Sequence, residues 1–266
     1  MTIYDTIHDI VAKAMRGQQL TPADTARRAD IDPATLRQWL DADAPDPALI
    51  PAIADALDLD ADALAAYDEP WAEVALPVGI HRLEFPFGED TVNAWRIDHG
   101  EPTLLIDAGA AADDLRDTVD SLADPSDLII THNHPDHVAG IAAVRAQIGQ
   151  LVAPESIHDA RVIWPGDQLQ IAGLEITAHD LQGHHPRALG YEFHGFAVPV
   201  IAVGDAVFAR SAGGCQTSHA CQSARETIRA LLHDRPDDTL LLTGHGAATT
   251  LGIERRQNPF LARWLS

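Results

Sequence analysis

Apolar residues fall at two different spacings along the chain, and the change between them divides it. Over the first part they recur every three to four positions: Ile3, Ile7, Ile10, Val11 and Ala14; then Leu36, Trp39 and Leu40; then Ile50, Ile53, Ala54 and Leu57. That period predicts short helices, each turning one stripe toward a shared core. Thr21-Pro22 and Asp32-Pro33 each supply an N-cap followed by proline at the first helical position. From about residue 80 the apolar residues gather in short runs, at 103–106, 127–130, 198–203 and 239–242. These predict buried strands, with helices over 138–148 and 223–232 between them. The acidic, proline-containing Asp68-Glu69-Pro70 marks the change. The expected organisation is an all-α bundle over 1–68, a linker over 69–79 and an α/β domain over 80–266.

Composition narrows the function classes. Of 266 residues 46% are apolar, and 40 acids against 18 bases give a net charge of −22. Such a surface opposes broad phosphate binding. No run approaches the ~20 apolar residues of a membrane span, and no basic-then-apolar leader opens the chain, so a cytoplasmic protein without membrane contact is expected. Cys215 and Cys221 are the only cysteines, too few for a disulfide framework, and are expected as free thiols. Lys13 is the only lysine, a bias that fits either a solvent of high ionic strength or a GC-rich genome.

The chemistry concentrates in Thr131-His132-Asn133-His134-Pro135-Asp136-His137-Val138-Ala139-Gly140, between a predicted strand and a predicted helix. His132, His134, Asp136 and His137 crowd a loop whose irregular backbone can converge them. Neutral imidazoles with a carboxylate suit Zn²⁺ and related borderline ions. Singly, a loop histidine is a solvated group and an aspartate before a helix is a cap. Together, an H-x-H-x-D-H string arises by chance on the order of once in a few hundred such sequences.

That string resembles the signature of the metallo-β-lactamase superfamily. Gly183-His184-His185-Pro186, Val203-Gly204-Asp205-Ala206-Val207-Phe208 and Thr243-Gly244-His245-Gly246 are similar to the rest of its pattern, in order. Thr91-Val92-Asn93-Ala94 and Leu105-Ile106-Asp107-Ala108-Gly109 are similar to its opening strands. The resemblance implies an αββα sandwich over residues 80–266, so the chain reads as α/β with a small all-α bundle in front. It also implies two divalent metal ions, zinc first, with iron or manganese as alternatives. His132, His134 and His184 would hold one ion, Asp136, His137 and His245 the other, and Asp205 both, with Asp107 behind them. His184 is preferred over His185 because the glycine before it and the proline two places on fix the register. His179 is expected to have a plain surface or core role. Arg187-Ala188 stands where the family commonly has Gly-Ser, which implies a differently shaped loop.

The implied reaction is hydrolysis by a metal-bridging hydroxide, with Asp136 and Asp205 as the catalytic carboxylates. Residues 249–260 resemble the tail of glyoxalase II-like hydrolases, which implies a thioester as small-molecule substrate, of the hydroxyacylglutathione kind. The chain ends soon after Phe260, without the further helical domain that grips glutathione in such enzymes, so the thiol partner stays open. Arg187, Arg210 and Arg255 are read as substrate-carboxylate ligands or as ordinary surface ion pairs. Two alternatives remain: a mononuclear-iron persulfide dioxygenase, and a ligand-sensing DNA-binding regulator. The second arises because residues 19–40 and 53–60 resemble the helix-turn-helix of Cro/C1-type repressors. There Arg27, Arg28, Arg37 and Gln38 stand among Asp24, Asp30, Asp32, Asp41, Asp43 and Asp46, carboxylates that repel a polyanion. No nucleic-acid partner is therefore expected, and the bundle is expected to serve packing or homodimerisation.

Overall fold

The computed structural model describes residues 4–71, 73–121, 126–157 and 159–266. Ile3 of the first helical stripe and Ala72 of the 69–79 stretch lie outside the described residues. Five helices come first: α1 (Ile7–Gly17), α2 (Pro22–Arg28), α3 (Pro33–Leu40), α4 (Ile50–Ala56) and α5 (Ala61–Ala65). Their starts are written in the sequence. Thr6 with Asp9 and Thr21 with Asp24 form capping boxes, and Asp32 accepts from the backbone of Ala34 and Thr35.

Among the described residues the strands then build two six-stranded sheets. The first runs β1 (Ile80–Phe87), β2 (Asp90–Ile97), β3 (Leu104–Ile106), β4 (Ser126–Ile129), β5 (Ile148–Ala153) and β6 (Arg161–Val162), neighbours in that order. Its outer face carries α6 (Arg116–Asp120), α7 (Pro135–Val138) and α8 (Ile141–Val144). The second sheet contains β7 (Gln168–Ile171), β8 (Leu174–Asp180), β9 (Leu189–Phe193) and β10 (Val200–Gly204). A small hairpin of β11 (Val207–Phe208) and β12 (Ser211–Ala212) and helix α9 (Ser218–Leu232) follow. The chain then returns with β13 (Leu240–Thr243), β14 (Thr249–Thr250), α10 (Leu251–Gln257) and α11 (Leu261–Trp264). Strand order in the second sheet is β14-β13-β10-β9-β8-β7, with β10 and β13 parallel.

The period-2 alternation of a strand sorts its residues between two cores. Leu104 and Ile106 point between the sheets and Leu105 outward; Val200, Ala202, Leu240 and Leu242 point inward, and Ile201, Val203 and Leu241 outward. The result is an α/β sandwich, two facing sheets with helices outside, in keeping with the αββα arrangement expected from the sequence.

The outer face of the second sheet, α9 to α11 and the N-terminal helices bury one continuous apolar cluster, from Ile7 and Trp39 to Ile228 and Trp264. Polar links reinforce it. Lys13 Nζ donates to the Ala212 carbonyl at 3.0 Å, Asp60 N donates to Pro259 O at 2.8 Å, and Asp58 pairs with Arg225 and Arg263, each at 2.7 Å.

Most predicted strands appear with ends shifted by one or two residues. The helix expected over 138–148 does not form as one unit. It breaks between α7 and α8, and the chain enters β5 at Ile148. At the break Gly140 lies so close to the Ala108 carbonyl that a Cβ would come within 2.1 Å of its oxygen. Close packing of two backbones thus overrides the helical pattern. The helix expected over 223–232 starts earlier, at Ser218, where the Thr217 hydroxyl caps it. No helix among the described residues is long and apolar enough to cross a membrane.

Candidate metal centre

The seven singled-out side chains converge at one edge of the sandwich. His132, His134, Asp136 and His137 follow the end of β4, His184 sits between β8 and β9, and Asp205 and His245 lie beyond β10 and β13. Because β10 and β13 are parallel neighbours, Asp205 and His245 emerge side by side. Two glycines make the approach close enough. A Cβ on Gly244 would stand 2.0 Å from Asp205 Oδ1, and one on Gly213 would stand 2.9 Å from His184 Cβ.

Four of the five imidazoles are oriented by an acceptor on the outer side. His137 Nδ1 lies 2.9 Å from Asp107 Oδ2, His245 Nδ1 2.7 Å from Thr91 O, and His184 Nδ1 2.9 Å from Gly214 O. His132 Nδ1 is 3.0 Å from Thr131 Oγ1, whose own proton goes to Asp107. With Nδ1–H donating outward, the Nε2 lone pairs of these four rings face the centre. His134 is turned the other way, with Nδ1 3.0 Å from His132 Nε2 and 3.1 Å from His184 Nε2. Asn93 braces the His245 loop by donating Nδ2 to the carbonyls of Thr243 and Gly246, and Trp95 Nε1 donates to Thr243 O.

Two sets of donor atoms result, His132, His134, His184 and Asp205, and Asp136, His137, Asp205 and His245, each with all its atoms within 4.8 Å of one another. Asp205 belongs to both, with Oδ2 3.4 Å from His184 Nε2 and from His245 Nε2, and Oδ1 3.3 Å from His137 Nε2. His137 Nε2 and Asp205 Oδ1 are buried without a hydrogen-bond partner. Buried polar atoms are rarely left so, and a bound cation would satisfy both. The charge balance agrees. Although burial works against its charge, Asp205 is held well below the usual carboxylate range by His137 and His245. Burial likewise opposes a charged His245, yet Asp205 and Asp136 lift its imidazole to about 9. Burial, with His137 beside it, keeps His132 neutral, its pKa well below the usual histidine value. The carboxylates thus draw positive charge to the pocket, which is rich in the imidazole and carboxylate donors that suit a divalent metal ion.

His184, not His185, turns into the cluster; His185 Nε2 faces Glu155 at 3.6 Å. His179 pairs with Glu192 at 2.9 Å, away from the centre. Of the arginines, Arg255 does form a surface ion pair, with Asp237, and Arg210 does not. Arg210 is buried and donates to the Ala66 and Glu69 carbonyls, and Arg255 joins Asp237 to the carbonyls around residue 233. Arg187 stacks on Trp164, 3.9 Å from the ring centroid, and donates to Pro154 O. Both cysteines are free, Cys215 buried and Cys221 half-buried. Sequence reasoning missed the aromatic surround of His245, namely Tyr4, Phe87 and Phe208. No local pattern marks residues brought there by tertiary packing.

The family model of the metallo-beta-lactamase superfamily matches residues 87–153. A hydroxyacylglutathione hydrolase of Erwinia tasmaniensis is 29% identical over 147 residues, 53% of this chain and 56% of that protein. The chain thus spans little more than half the length of this curated relative. Among solved structures, the BLEG-1 B3 metallo-beta-lactamase is 21% identical with a TM-score of 0.56, covering 68% of this chain and 99% of that one, a likeness of fold. TTHA1623, solved in a di-iron-bound form, is 26% identical with a TM-score of 0.52, covering 67% and 99%.

Proposed function

We propose that the protein is a binuclear metal-dependent hydrolase of the glyoxalase II-like kind, cleaving a small thioester. One observation carries the reading: two complete, mostly buried donor sets share a single carboxylate, Asp205. The complete second set favours a pair of ions over the single iron of a dioxygenase, and the di-iron form of TTHA1623 supports the same view. The hydroxyacylglutathione hydrolase relative supports a thioester as substrate.

The ions, when bound, supply Lewis acidity that deprotonates water near neutral pH and polarises a carbonyl. The side chains do the rest. Asp107, Thr91 O, Gly214 O and Thr131 hold four imidazoles in the tautomer that keeps Nε2 free. Asp136 Oδ2, 3.3 Å from His245 Nε2, orients the attacking water and accepts its proton, which then passes to the leaving thiolate. Water is consumed, and a carboxylic acid and a thiol are released.

For the N-terminal helices, the helix-turn-helix resemblance goes with a packing role. Arg27 is paired with Asp24 at 2.9 Å, an acid beside it that works against a phosphate contact. The test is metal analysis with a thioester panel on wild type and Asp205→Ala. Two ions per chain and a loss of hydrolysis beyond about a hundredfold are expected, more than loss of a supporting partner costs. One iron per chain with oxygen uptake would overturn the reading.

A further inference from the structure

The N-terminal segment reaches the metal centre. The Tyr4 ring stacks on the His245 imidazole, centroids 4.6 Å apart and planes 26° from parallel, and lies 5.2 Å from Phe208. Phe87, at the end of β1, stands 6.0 Å from the same imidazole and is 42% exposed. Gly246 makes room for the tyrosine, since a Cβ there would come 3.2 Å from Tyr4 Cβ. The segment is pinned in place. Asp5 is buried and ion-paired with Lys13, and its carbonyl accepts from the Tyr67 hydroxyl at 3.0 Å. Lys13 Nζ also sits 4.8 Å over the Phe208 ring. His134 and His184 are only half-buried, whereas His245 beneath the tyrosine is buried. A substrate carbonyl held beside Asp205 would therefore have Tyr4 and Phe87 next to it on the His245 side.

We propose that Tyr4, although it belongs to the N-terminal helical region, is a specificity-determining residue. With Phe87 it closes the His245 end of the cleft and restricts the substrate to thioesters of short acyl groups. The inference rests on the thioesterase reading above. A wall held by stacking on one side and by the Asp5–Lys13 anchor on the other yields only at a cost, so a branched or aromatic acyl group is disfavoured by overpacking. Pocket walls of this kind discriminate by about ten- to a hundredfold per group.

The test uses the full chain with metal loaded, as wild type, Tyr4→Ala and Tyr4→Trp, on acetyl, isobutyryl and benzoyl thioesters of N-acetylcysteamine. The benzoyl-to-acetyl ratio of kcat/KM is expected to rise on the order of tenfold in Tyr4→Ala and to fall in Tyr4→Trp. The tryptophan variant keeps the test alive if the alanine variant fails to fold. Ligand-observed NMR of acetate, isobutyrate and benzoate reads the same order without turnover, and bound metal is expected to stay at the wild-type level. Active wild type with one acyl ratio across all three proteins would overturn this inference alone. Wild type that turns over no thioester would overturn the hydrolase reading and this inference with it. Equal loss on every substrate together with lost metal would also overturn it, by making Tyr4 a support of His245.

Discussion

The two donor sets share Asp205 and differ in what stands behind them. His132, His134 and His184 include two half-buried members, whereas Asp136, His137 and His245 are buried throughout. Behind the second set stand the Asp107 carboxylate, in direct contact with His137, the Asn93-braced loop and the Tyr4 ring, whereas Asp107 reaches His132 only through Thr131. Behind His184 there is one backbone carbonyl, Gly214 O. Donor identity is similar in the two sets, so the difference lies in the supporting structure. An ion in the first set should exchange and meet substrate readily, and one in the second should be locked.

The largest effect comes from removing what the sets have in common. Gly244→Ala drives a Cβ into Asp205 Oδ1, and both ions should be lost, with hydrolysis falling by more than about a hundredfold; metal analysis and turnover read it together. Asp107→Asn acts directly on the second set and reaches the first only through Thr131 and His132. His137 loses its charged acceptor, so affinity for the second ion should fall about ten- to a hundredfold and that for the first by less; a competitive chelator titration separates the two. Chelation of the unmodified protein should proceed in two phases, the faster releasing the ion of His132, His134 and His184. A single phase would mean that burial does not set exchange here. The smallest expected effect falls outside both sets. Lys13→Met leaves the buried Asp5 without its partner and should cost about 2 kcal/mol in denaturant unfolding, with metal content unchanged.

The sequence announced the parts of this centre that are local and left silent those that are not. His132 to His137 declare themselves because one loop carries four donors, and short apolar runs placed the flanking strands. His184, Asp205 and His245 could be ordered only through a family resemblance, since nothing in their own neighbourhoods says that β10 and β13 run parallel and side by side. The break at Gly140 depends on the Ala108 carbonyl, 32 residues away in the chain, and no helical periodicity contains it. Tyr4 is farther still from its partner His245, and Arg210 read as a surface group because its carbonyl acceptors lie in the N-terminal region.

Lys13 has a practical use. As the chain's one side-chain amine it stands at the seam between the first helix and the β12 loop, with little of it exposed. An acylating reagent directed at that amine would modify the folded protein slowly. Rapid labelling located at Lys13 by peptide mapping, apart from the α-amine, would therefore signal that the first helix had lifted away and report the movement of one part of the molecule against the other.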